Sequence, residues 1–340
     1  MNRSATLADV AREAGVSLAT ASRVLNGSTR VVGEQLRERV LTTAAELNYS
    51  ANAAAQAMVR GHLDVVGVVV HDIADPYFSS IAAGVMERAE EAGLLVALSS
   101  TLRQPDREAD YVAAFRRQRV RAVILVGSRT TDAGQLRRLR TEVERFESGR
   151  GRVAAVSQRR LPIDTVVVEN RAGARALADE LVALGYRRFG VLAGPSHLLT
   201  AVDRLAGFRS GLAHHGITID DDHVVAGEFT RDGGYVATGE LLRRKVDVSC
   251  IFAVNDVMAV GAMAALRDHR MPPPRRMAVA GFDDIATLRD VTPRLTTVRV
   301  DLEDLGRTAL DLVLGEPGRR PRTRMARCEV VLRESTPDTR

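Results

Sequence analysis

One short stretch near the start of the chain carries side chains suited to contact with double-stranded DNA. A helix beginning after Ser17 would turn one side outward, and the long hydrogen-bond donor on that side is Arg23. An arginine can donate two hydrogen bonds to O6 and N7 of guanine, the commonest base-specific contact in the major groove. Short hydroxyl and amide side chains nearby suit phosphate oxygens, which position a protein without reading sequence. We predict DNA contacts by Thr6, Leu7, Ser17, Leu18, Ala19, Thr20, Ser22, Arg23 and Asn26.

The residues before and after this stretch predict the helices that would position it. Thr6 precedes Asp9 by three residues, the spacing of a capping box that begins a helix. Gly15 would end that helix, because glycine enters a left-handed turn at little cost, and Ser17 can cap a second helix. A third helix would cover the pair with Leu36, Val40, Ala44 and Leu47. Three such helices form a DNA-reading unit whose second helix enters the major groove, although any three-helix bundle shows this periodicity.

Beyond about Gly61 the hydrophobic pattern changes. Short β-branched runs, from Val65–Val70 to Thr296–Val300, alternate with longer amphipathic stretches. This alternation predicts parallel sheets wrapped by helices, and a possible break near Leu161–Asp164 suggests two lobes. Because ligands bind beyond the carboxyl ends of parallel strands, two lobes would place those ends around a cleft.

Composition narrows the class of protein. The chain has 340 residues and a formal net charge of +5, which permits nucleic-acid binding without requiring it. No apolar run is long enough to span a bilayer, and the first residues lack the apolar core of a secretory signal. Two cysteines, Cys250 and Cys328, do not form a disulfide framework. We therefore expect a cytoplasmic protein, in which the abundance of arginine reflects codon usage more than function.

Several motifs taken together resemble the LacI/GalR family of bacterial repressors. The stretch VSLATASRVLNG resembles the family's recognition helix, and LNYSANAAAQAMVRG resembles the end of its third helix plus its hinge helix. Further matches follow in the family's order: DPYF, VVVEN, DRLAGF, GEFTRDGGY, FAVNDVMAVGAM, VAGFDD and PRLTTV. Each motif alone is weak, but their number, order and spacing extend the likeness over nearly the whole chain.

The resemblance implies an α/β fold class with two parts. An N-terminal all-α helix-turn-helix domain at 1–50 would be joined by a hinge helix and linker at 51–61 to a domain at 62–334. The second domain would be two-lobed and like a periplasmic binding protein, with parallel sheets flanked by helices, and would bind the effector and dimerise. Its lobes would span about 62–162 with 293–320, and 163–292 with 321–334. The family acts as homodimers on near-palindromic operators, so the expected partners are double-stranded DNA, a second copy and a small-molecule effector, expected to be a carbohydrate.

In the family, a leucine of the hinge helix wedges into the minor groove at the operator centre. Met58 occupies that place here, and methionine is among the residue types that can wedge between bases. Asn52 and Ala55 are expected to contact DNA beside it. The hinge departs from the family pattern at Ala51, where proline is common, and at Gln56, which replaces a usual arginine and should weaken attraction to phosphate.

The resemblance also implies a set of effector-binding residues. Aromatic faces can stack on the C–H face of a sugar ring while planar polar groups pair with its hydroxyls. From the residues alone, Tyr77 and Phe78 could equally be ordinary packing, and Arg204 with Asp283 a surface ion pair. Glu169 stands where the family usually has aspartate. The predicted effector-binding residues are Asp72, Tyr77, Phe78, Ser128, Arg204, Phe229, Asn255 and Asp283.

Other classes of function have less support. A solute-binding protein without DNA function would leave the first sixty residues unexplained, and a sugar-acting enzyme would need a catalytic constellation that we do not find. No phosphate-binding loop or serine elbow is present. His214, His215 and His223 lie in a stretch rich in aspartate but lack paired helical spacing, so a solvated loop is favoured over a metal site. We expect no enzyme activity, cofactor or metal.

Overall fold

A computed structural model describes residues 5–26, 32–49, 61–104 and 106–340. The chain divides into two compact units, Met1–Asp64 and Val65–Arg340. In the described residues, no helix combines the length and the apolar character needed to cross a membrane.

The described residues of the first unit form three helices: α1 (Leu7–Glu13), α2 (Leu18–Asn26) and α3 (Glu34–Glu46). The predicted capping box forms at α1, since the Thr6 amide donates to the Asp9 carboxylate and the Asp9 amide donates to the Thr6 hydroxyl. The Thr6 hydroxyl also donates to the Asp9 carboxylate, and this bond together with that from the Thr6 amide lowers the pKa of Asp9 to about 2. Gly15 turns with a φ of +62°, and the Ser17 hydroxyl accepts from the Thr20 amide to cap α2.

A small apolar core holds these helices together. Its buried members are Val10, Ala11, Ala14, Ala21, Val40 and Ala44. Leu47 packs partly against this core, but Leu36 is 39% exposed, so its predicted place in the core is wrong. The buried positions of α3 are Val40, Thr43 and Ala44, all from its middle onward, and Leu36 lies one turn before the first of them, near the exposed start of the helix.

Two sheets with flanking helices form the second unit. The first sheet has the strand order β11-β5-β4-β3-β1-β2, with parallel pairing of β1 to β2, β3 to β4, β4 to β5 and β5 to β11. Its strands are β1 (Leu63–Val70), β2 (Leu95–Ser100), β3 (Val120–Val126), β4 (Arg152–Val156), β5 (Asp164–Val168) and β11 (Thr323–Ala326). The accompanying helices are α4 (Pro76–Glu91), α5 (Arg107–Arg117), α6 (Ala133–Ser148) and α11 (Leu302–Leu314). We call this sheet with these helices the first lobe.

The second sheet is fully parallel, in the order β7-β6-β8-β9. Its strands are β6 (Phe189–Ala193), β7 (Val224–Ala226), β8 (Cys250–Ala253) and β9 (Ala278–Ala280). The helices around it are α7 (Asn170–Ala183), α8 (Leu199–His214), α9 (Arg231–Arg243) and α10 (Asp256–Asp268), with 3-10 turns at Asp221–His223 and Ala286–Asp290. These elements form the second lobe, and β10 (Thr297–Arg299) pairs antiparallel with β12 (Glu329–Val331).

The predicted extents of the lobes need a correction. Residues 163–168 and 321–326 were assigned to the second lobe, yet β5 and β11 both belong to the sheet of the first. They pair in register from Thr165 with Thr323 to Val168 with Ala326, which gives β5 a partner on its second edge. The break near Leu161–Asp164 is therefore a connection between neighbouring strands of one sheet, not a boundary between lobes.

Helix α11 shows how a late segment completes the first lobe. It packs on α4, and two glycines allow the backbones to meet closely. A Cβ at Gly84 would lie 2.0 Å from the carbonyl oxygen of Glu303, and one at Gly306 would lie 2.1 Å from that of Ile81. This close contact holds α11 on the first lobe, although most of the lobe's strands come much earlier in the chain.

Candidate functional site

Three of the residues predicted to contact DNA lie on the exposed side of α2. Leu18, Ala19 and Arg23 are exposed, whereas Ala21, on the opposite side, is fully buried. The hydroxyls of Ser17 and Thr20 lie 2.8 Å apart in a hydrogen bond at the amino end of the helix. An exposed arginine on a helix held by its opposite face is free to donate into a DNA groove.

The remaining predicted DNA contacts fall into two groups. Thr6 is exposed at the start of α1, where its hydroxyl donates to Asp9 at 2.6 Å, and Leu7 is half-buried. Ser22 is half-buried on α2. The side chain of Asn26 and all of Asn52, Ala55 and Met58 lie outside the described residues, so their roles stay predictions.

A cleft of about 940 Å³, including its solvent-open part, lies where strands of both lobes end. Strands β3 and β4 of the first lobe lead into Ser128 and Gln158, while β8 of the second leads into Asn255. Of the predicted effector-binding residues, the structure brings seven together around this cleft: Tyr77, Phe78, Ser128, Arg204, Phe229, Asn255 and Asp283.

Asp72 is the exception among the predicted cleft residues. It does not line the cleft, and its carboxylate accepts a hydrogen bond at 3.1 Å from Arg103, which does line it. Arg103 also donates to the buried Asp75, at 3.2 Å. The loop after β1 therefore turns Asp72 outward and uses it to hold an arginine that sequence reasoning missed.

Arg204 and Asp283 form a buried ion pair, not a surface one. The guanidinium donates to both carboxylate oxygens, at 2.6 and 3.2 Å, and both side chains are at most 5% exposed. Arg204 also donates to Asn170 at 2.8 Å and to the carbonyl of Val254 at 2.7 Å, and it lies 3.8 Å from the ring centre of Phe282. Burial raises the pKa of Asp283 to about 6, against the lowering effect of the Arg204 charge.

A second buried ion pair lies in the first lobe and was not predicted. Arg129 donates to both oxygens of Glu108 at 2.7 and 2.8 Å and to the Ser157 hydroxyl at 2.8 Å. His71, which lines the cleft, lies 3.5 Å from the same carboxylate. Although burial opposes it, the charge of Arg129 holds the pKa of Glu108 at about 2. Glu108 lies in α5 and Arg129 follows β3, so no local spacing pairs them in the sequence.

The aromatic side of the cleft depends on glycine. A Cβ at Gly194, just after β6, would lie 1.8 Å from the ring of Phe229, so the ring rests directly against the backbone. Tyr77 and Phe78, at the start of α4, meet edge to face with ring centres 5.1 Å apart. Aromatic rings and paired polar groups thus line the same cleft, a combination that suits a polar ring-shaped ligand.

Hydrogen bonds also join the two lobes directly at the cleft. The amide of Leu199 donates to the carbonyl of Arg129 at 2.9 Å, and the Thr200 amide donates to the Ser128 hydroxyl at 3.0 Å. Gln158 donates to the Thr200 hydroxyl at 2.8 Å. A ligand in the cleft therefore lies beside the contacts that set the position of one lobe on the other.

No group of three or more histidine, cysteine or acidic side chains that could hold a metal ion occurs in the part of the chain that the structure describes. His215, from the predicted solvated loop, pairs instead with Asp179 at 2.8 Å.

Comparison with known proteins places both units in one family. Residues 6–52 match the model for bacterial regulatory proteins of the lacI family, and residues 178–336 match a periplasmic binding protein-like domain. The transcriptional regulator GalS of Salmonella typhimurium is 33% identical over 91% of this chain and 89% of its own. A crystal structure of the Lac repressor dimer bound to operator and the anti-inducer ONPF has 27% identity, covers 98% of this chain and 100% of its own, and gives a TM-score of 0.84.

A complex of the transcriptional regulator CelR with cellobiose is also similar, with 29% identity, a TM-score of 0.71 and coverage of 97% of this chain and 99% of its own. The match to GalS extends across both units and so joins the helix-turn-helix to the cleft in one architecture. The chain therefore belongs to the lacI family of bacterial regulatory proteins and is a DNA-binding transcriptional regulator of the helix-turn-helix type.

Proposed function

We propose that this regulator is a repressor that binds a near-palindromic operator as a homodimer. Residues 1–50 read the DNA, residues 51–61 form the hinge, and the larger unit dimerises. Support comes from the Lac repressor structure, which is a dimer on its operator, and from the exposed arginine of α2. Two recognition helices in a dimer reach half-sites about one helical turn apart, so their weak individual affinities combine.

The effector is a carbohydrate that occupies the cleft between the lobes. One observation carries this proposal: the cleft presents aromatic rings together with a buried, bidentate arginine–carboxylate pair. The ring of Phe229 offers an apolar face for stacking, and Asn255 and Asp283 offer groups for hydroxyls. The similar CelR structure holds cellobiose, which is in line with this class of ligand.

The ion pair changes how the ligand would be recognised. Arg204 and Asp283, both predicted to bind the effector, already hydrogen-bond to each other. A sugar hydroxyl would therefore add to a preformed pair, accepting from the free N–H of Arg204 or donating to an Asp283 lone pair. Preformed polar groups lose little freedom on binding, so ligand affinity does not depend on ordering them.

Control of DNA affinity follows from differential binding. A ligand can shift an equilibrium between lobe arrangements only by its difference in affinity for them. Because the lobes are hydrogen-bonded beside the cleft, a sugar that bridges Phe229 and Ser128 would change that equilibrium directly. The change would reach the operator through the dimer.

The test begins with a thermal-shift screen of mono- and disaccharides on the full chain. An operator selected from a random duplex library is then titrated with and without the stabilising sugar. Glu228 lines the cleft and is exposed, so Glu228→Gln should weaken sugar binding by about tenfold, as the loss of one charge-assisted hydrogen bond allows. Its basal operator affinity should be unchanged.

Glu180→Gln provides the matched control, because Glu180 is exposed on α7 and does not line the cleft. It should leave both sugar binding and its effect on operator affinity as in the parent. A sugar that stabilises the protein yet leaves operator affinity unchanged would contradict the proposed control. A screen in which only non-carbohydrates stabilise the protein would contradict the proposed effector class.

A further inference from the structure

The edge of the first sheet opposite the cleft is strongly basic. Strands β3, β4, β5 and β11 are neighbours and run parallel, so their amino ends lie along one edge. Counted from four residues before each strand to its first residue, β3, β4 and β11 bring eight arginines there and no carboxylate: Arg116, Arg117, Arg119, Arg150, Arg152, Arg319, Arg320 and Arg322. The same count for β5 adds Arg160 and Asp164.

Some of these arginines have structural partners. Arg152 and Arg322 share the carboxylate of Asp164, at 3.2 and 2.6 Å, and both donate to the carbonyl of Leu312 near the end of α11. Arg116 lies 3.8 Å from a carboxylate of α6. These three therefore stabilise the lobe itself.

The other five of the eight arginines are exposed, and within the described residues none of them forms an ion pair. They are Arg117, Arg119, Arg150, Arg319 and Arg320. We call these five residues the basic edge. Uncompensated like charges along one edge repel each other, and an anionic partner would relieve that repulsion.

Two plainer explanations do not account for the basic edge. Cations are favoured at helix carboxyl ends, but only Arg117 lies in a last helical turn, whereas Arg150 and Arg319 lie beyond the ends of α6 and α11. Arginine-rich composition would affect both lobes alike. The same count for the four strands of the second sheet gives four arginines and four aspartates, Asp220, Asp221, Asp222 and Asp247, so the cations at that edge are offset by as many carboxylates.

We propose that the basic edge binds the phosphate backbone of DNA flanking the operator. This inference rests on the DNA-binding function proposed above and adds a contact surface outside the helix-turn-helix. The partner is DNA because this unit is covalently joined to the DNA-reading unit through residues 50–60. Eleven residues reach at most roughly 40 Å, so whenever the first unit is on DNA, the local concentration of phosphate around the second is high.

The test uses the full chain and one selected operator in two duplexes. One duplex contains only the site of about 20 base pairs, and the other adds about 20 base pairs on each side. The variant replaces the five arginines of the basic edge with glutamine. On the longer duplex it should bind about tenfold more weakly at roughly 0.1 M salt, with a shallower salt dependence, because each lost phosphate contact removes about 0.9 from the slope. On the short duplex it should equal the parent.

The second lobe offers a closely matched control. Lys245→Gln, Arg267→Gln, Arg270→Gln, Arg275→Gln and Arg276→Gln together remove the same charge from exposed positions without ion pairs among the described residues. Lys245 and Arg270 have positive φ, as do Arg119 and Arg150, so backbone effects are matched as well. This control should bind both duplexes as the parent does.

The inference would be wrong if the variant and the parent bound the longer duplex with equal affinity. It would also be wrong if the variant lost as much affinity for the short duplex as for the longer one, or if the control lost as much affinity for the longer duplex as the variant. Competition by polyglutamate as strong as that by random-sequence DNA at one ionic strength would also overturn it, by pointing to an acidic protein partner. If no operator can be selected with the parent protein, the proposed function is wrong. The basic edge can then still be tested by measuring the affinity of the parent and the variant for random-sequence duplex at several salt concentrations.

Discussion

Arg23 in the first unit and Arg204 in the second lobe illustrate two uses of the same side chain. Arg204 is buried and donates to Asp283, Asn170 and a backbone carbonyl. Arg23 is exposed on α2 and, within the described residues, donates to no protein group. Arg204 is part of a cleft wall that the protein's own contacts build, whereas the exposed guanidinium of Arg23 is able to donate to a partner molecule.

The comparison predicts where each substitution will act. Removing a guanidinium that the fold already uses should cost folding stability, because it leaves a buried carboxylate without its partner. Removing one that the fold does not use should cost binding and leave stability intact. Buried and exposed arginines in this chain are therefore separable by experiment.

The largest expected effect is that of Arg204→Leu. Breaking a buried ion pair from one side costs about 3–5 kcal/mol of unfolding free energy, because Asp283 remains desolvated and uncompensated. Arg204→Leu combined with Asp283→Asn should recover part of that loss, since the buried charge is then gone. Urea denaturation followed by circular dichroism measures both. A single variant no less stable than the double variant would show that the pair is not a unit.

The next largest expected change in stability comes from Asp256, a buried carboxylate that has no arginine partner among the described residues. Asp256 is fully buried and accepts from the Thr297 hydroxyl at 2.6 Å and the Ile285 amide at 3.0 Å. Burial raises its pKa to about 7. The folded state then holds the proton more tightly than the unfolded state, so this contribution to stability is present below about pH 4 and is lost as pH rises to about 7.

Asp256→Asn should remove this pH dependence, because asparagine can accept from the Ile285 amide and donate to the Thr297 hydroxyl. The parent should lose up to about 4 kcal/mol from this group between pH 4 and 7, at about 1.4 kcal/mol for each pH unit. Denaturation midpoints of the parent and the variant across this range measure the difference. Parallel pH profiles for the two proteins would place the pKa of Asp256 near its ordinary value.

Features that depend on nearby residues could be predicted from the sequence, whereas contacts between distant residues could not. The polar face of α2, the capping box at Thr6 and the turn at Gly15 depend on residues within a few positions of one another, and local spacing predicted them. The family resemblance, rather than spacing, placed Arg204 and Asp283 together in the cleft. Their burial and bidentate geometry could not be read, because the two are separated by 79 positions.

The pairing of strands distant in the chain was the other feature that could not be predicted from the sequence. β11 is short, and its backbone pairs with that of β5, a strand distant in sequence. Its own pattern alternates weakly and contains one arginine, Arg324, and an exposed methionine, Met325. Since a strand at the edge of a sheet need not be apolar on both faces, its hydrophobic pattern could not show which lobe it joins.

Arg23→Ala tests the exposed side of the comparison. The expected loss is about 1–3 kcal/mol of discrimination between operator and scrambled DNA, with the unfolding free energy unchanged. Titration of both duplexes at one fixed salt concentration measures it. Arg12→Ala, which removes an exposed arginine of α1 that pairs with Asp9, is the control and should keep discrimination near the parent value. Equal discrimination in Arg23→Ala and the parent would remove Arg23 from base reading.

The smallest effect concerns the cap that begins α1. Thr6 accepts from the Asp9 amide and donates to the Asp9 carboxylate, so Thr6→Ala removes both bonds and should cost about 1 kcal/mol of stability. The pKa of Asp9, now held at about 2, should rise toward its ordinary value, which NMR titration of the carboxyl carbon can follow. Thr6→Ser keeps the hydroxyl and should restore both the stability and the low pKa. Because Thr6 is also a predicted DNA contact, a loss of operator affinity in Thr6→Ala at unchanged stability would show that its hydroxyl serves DNA more than the helix.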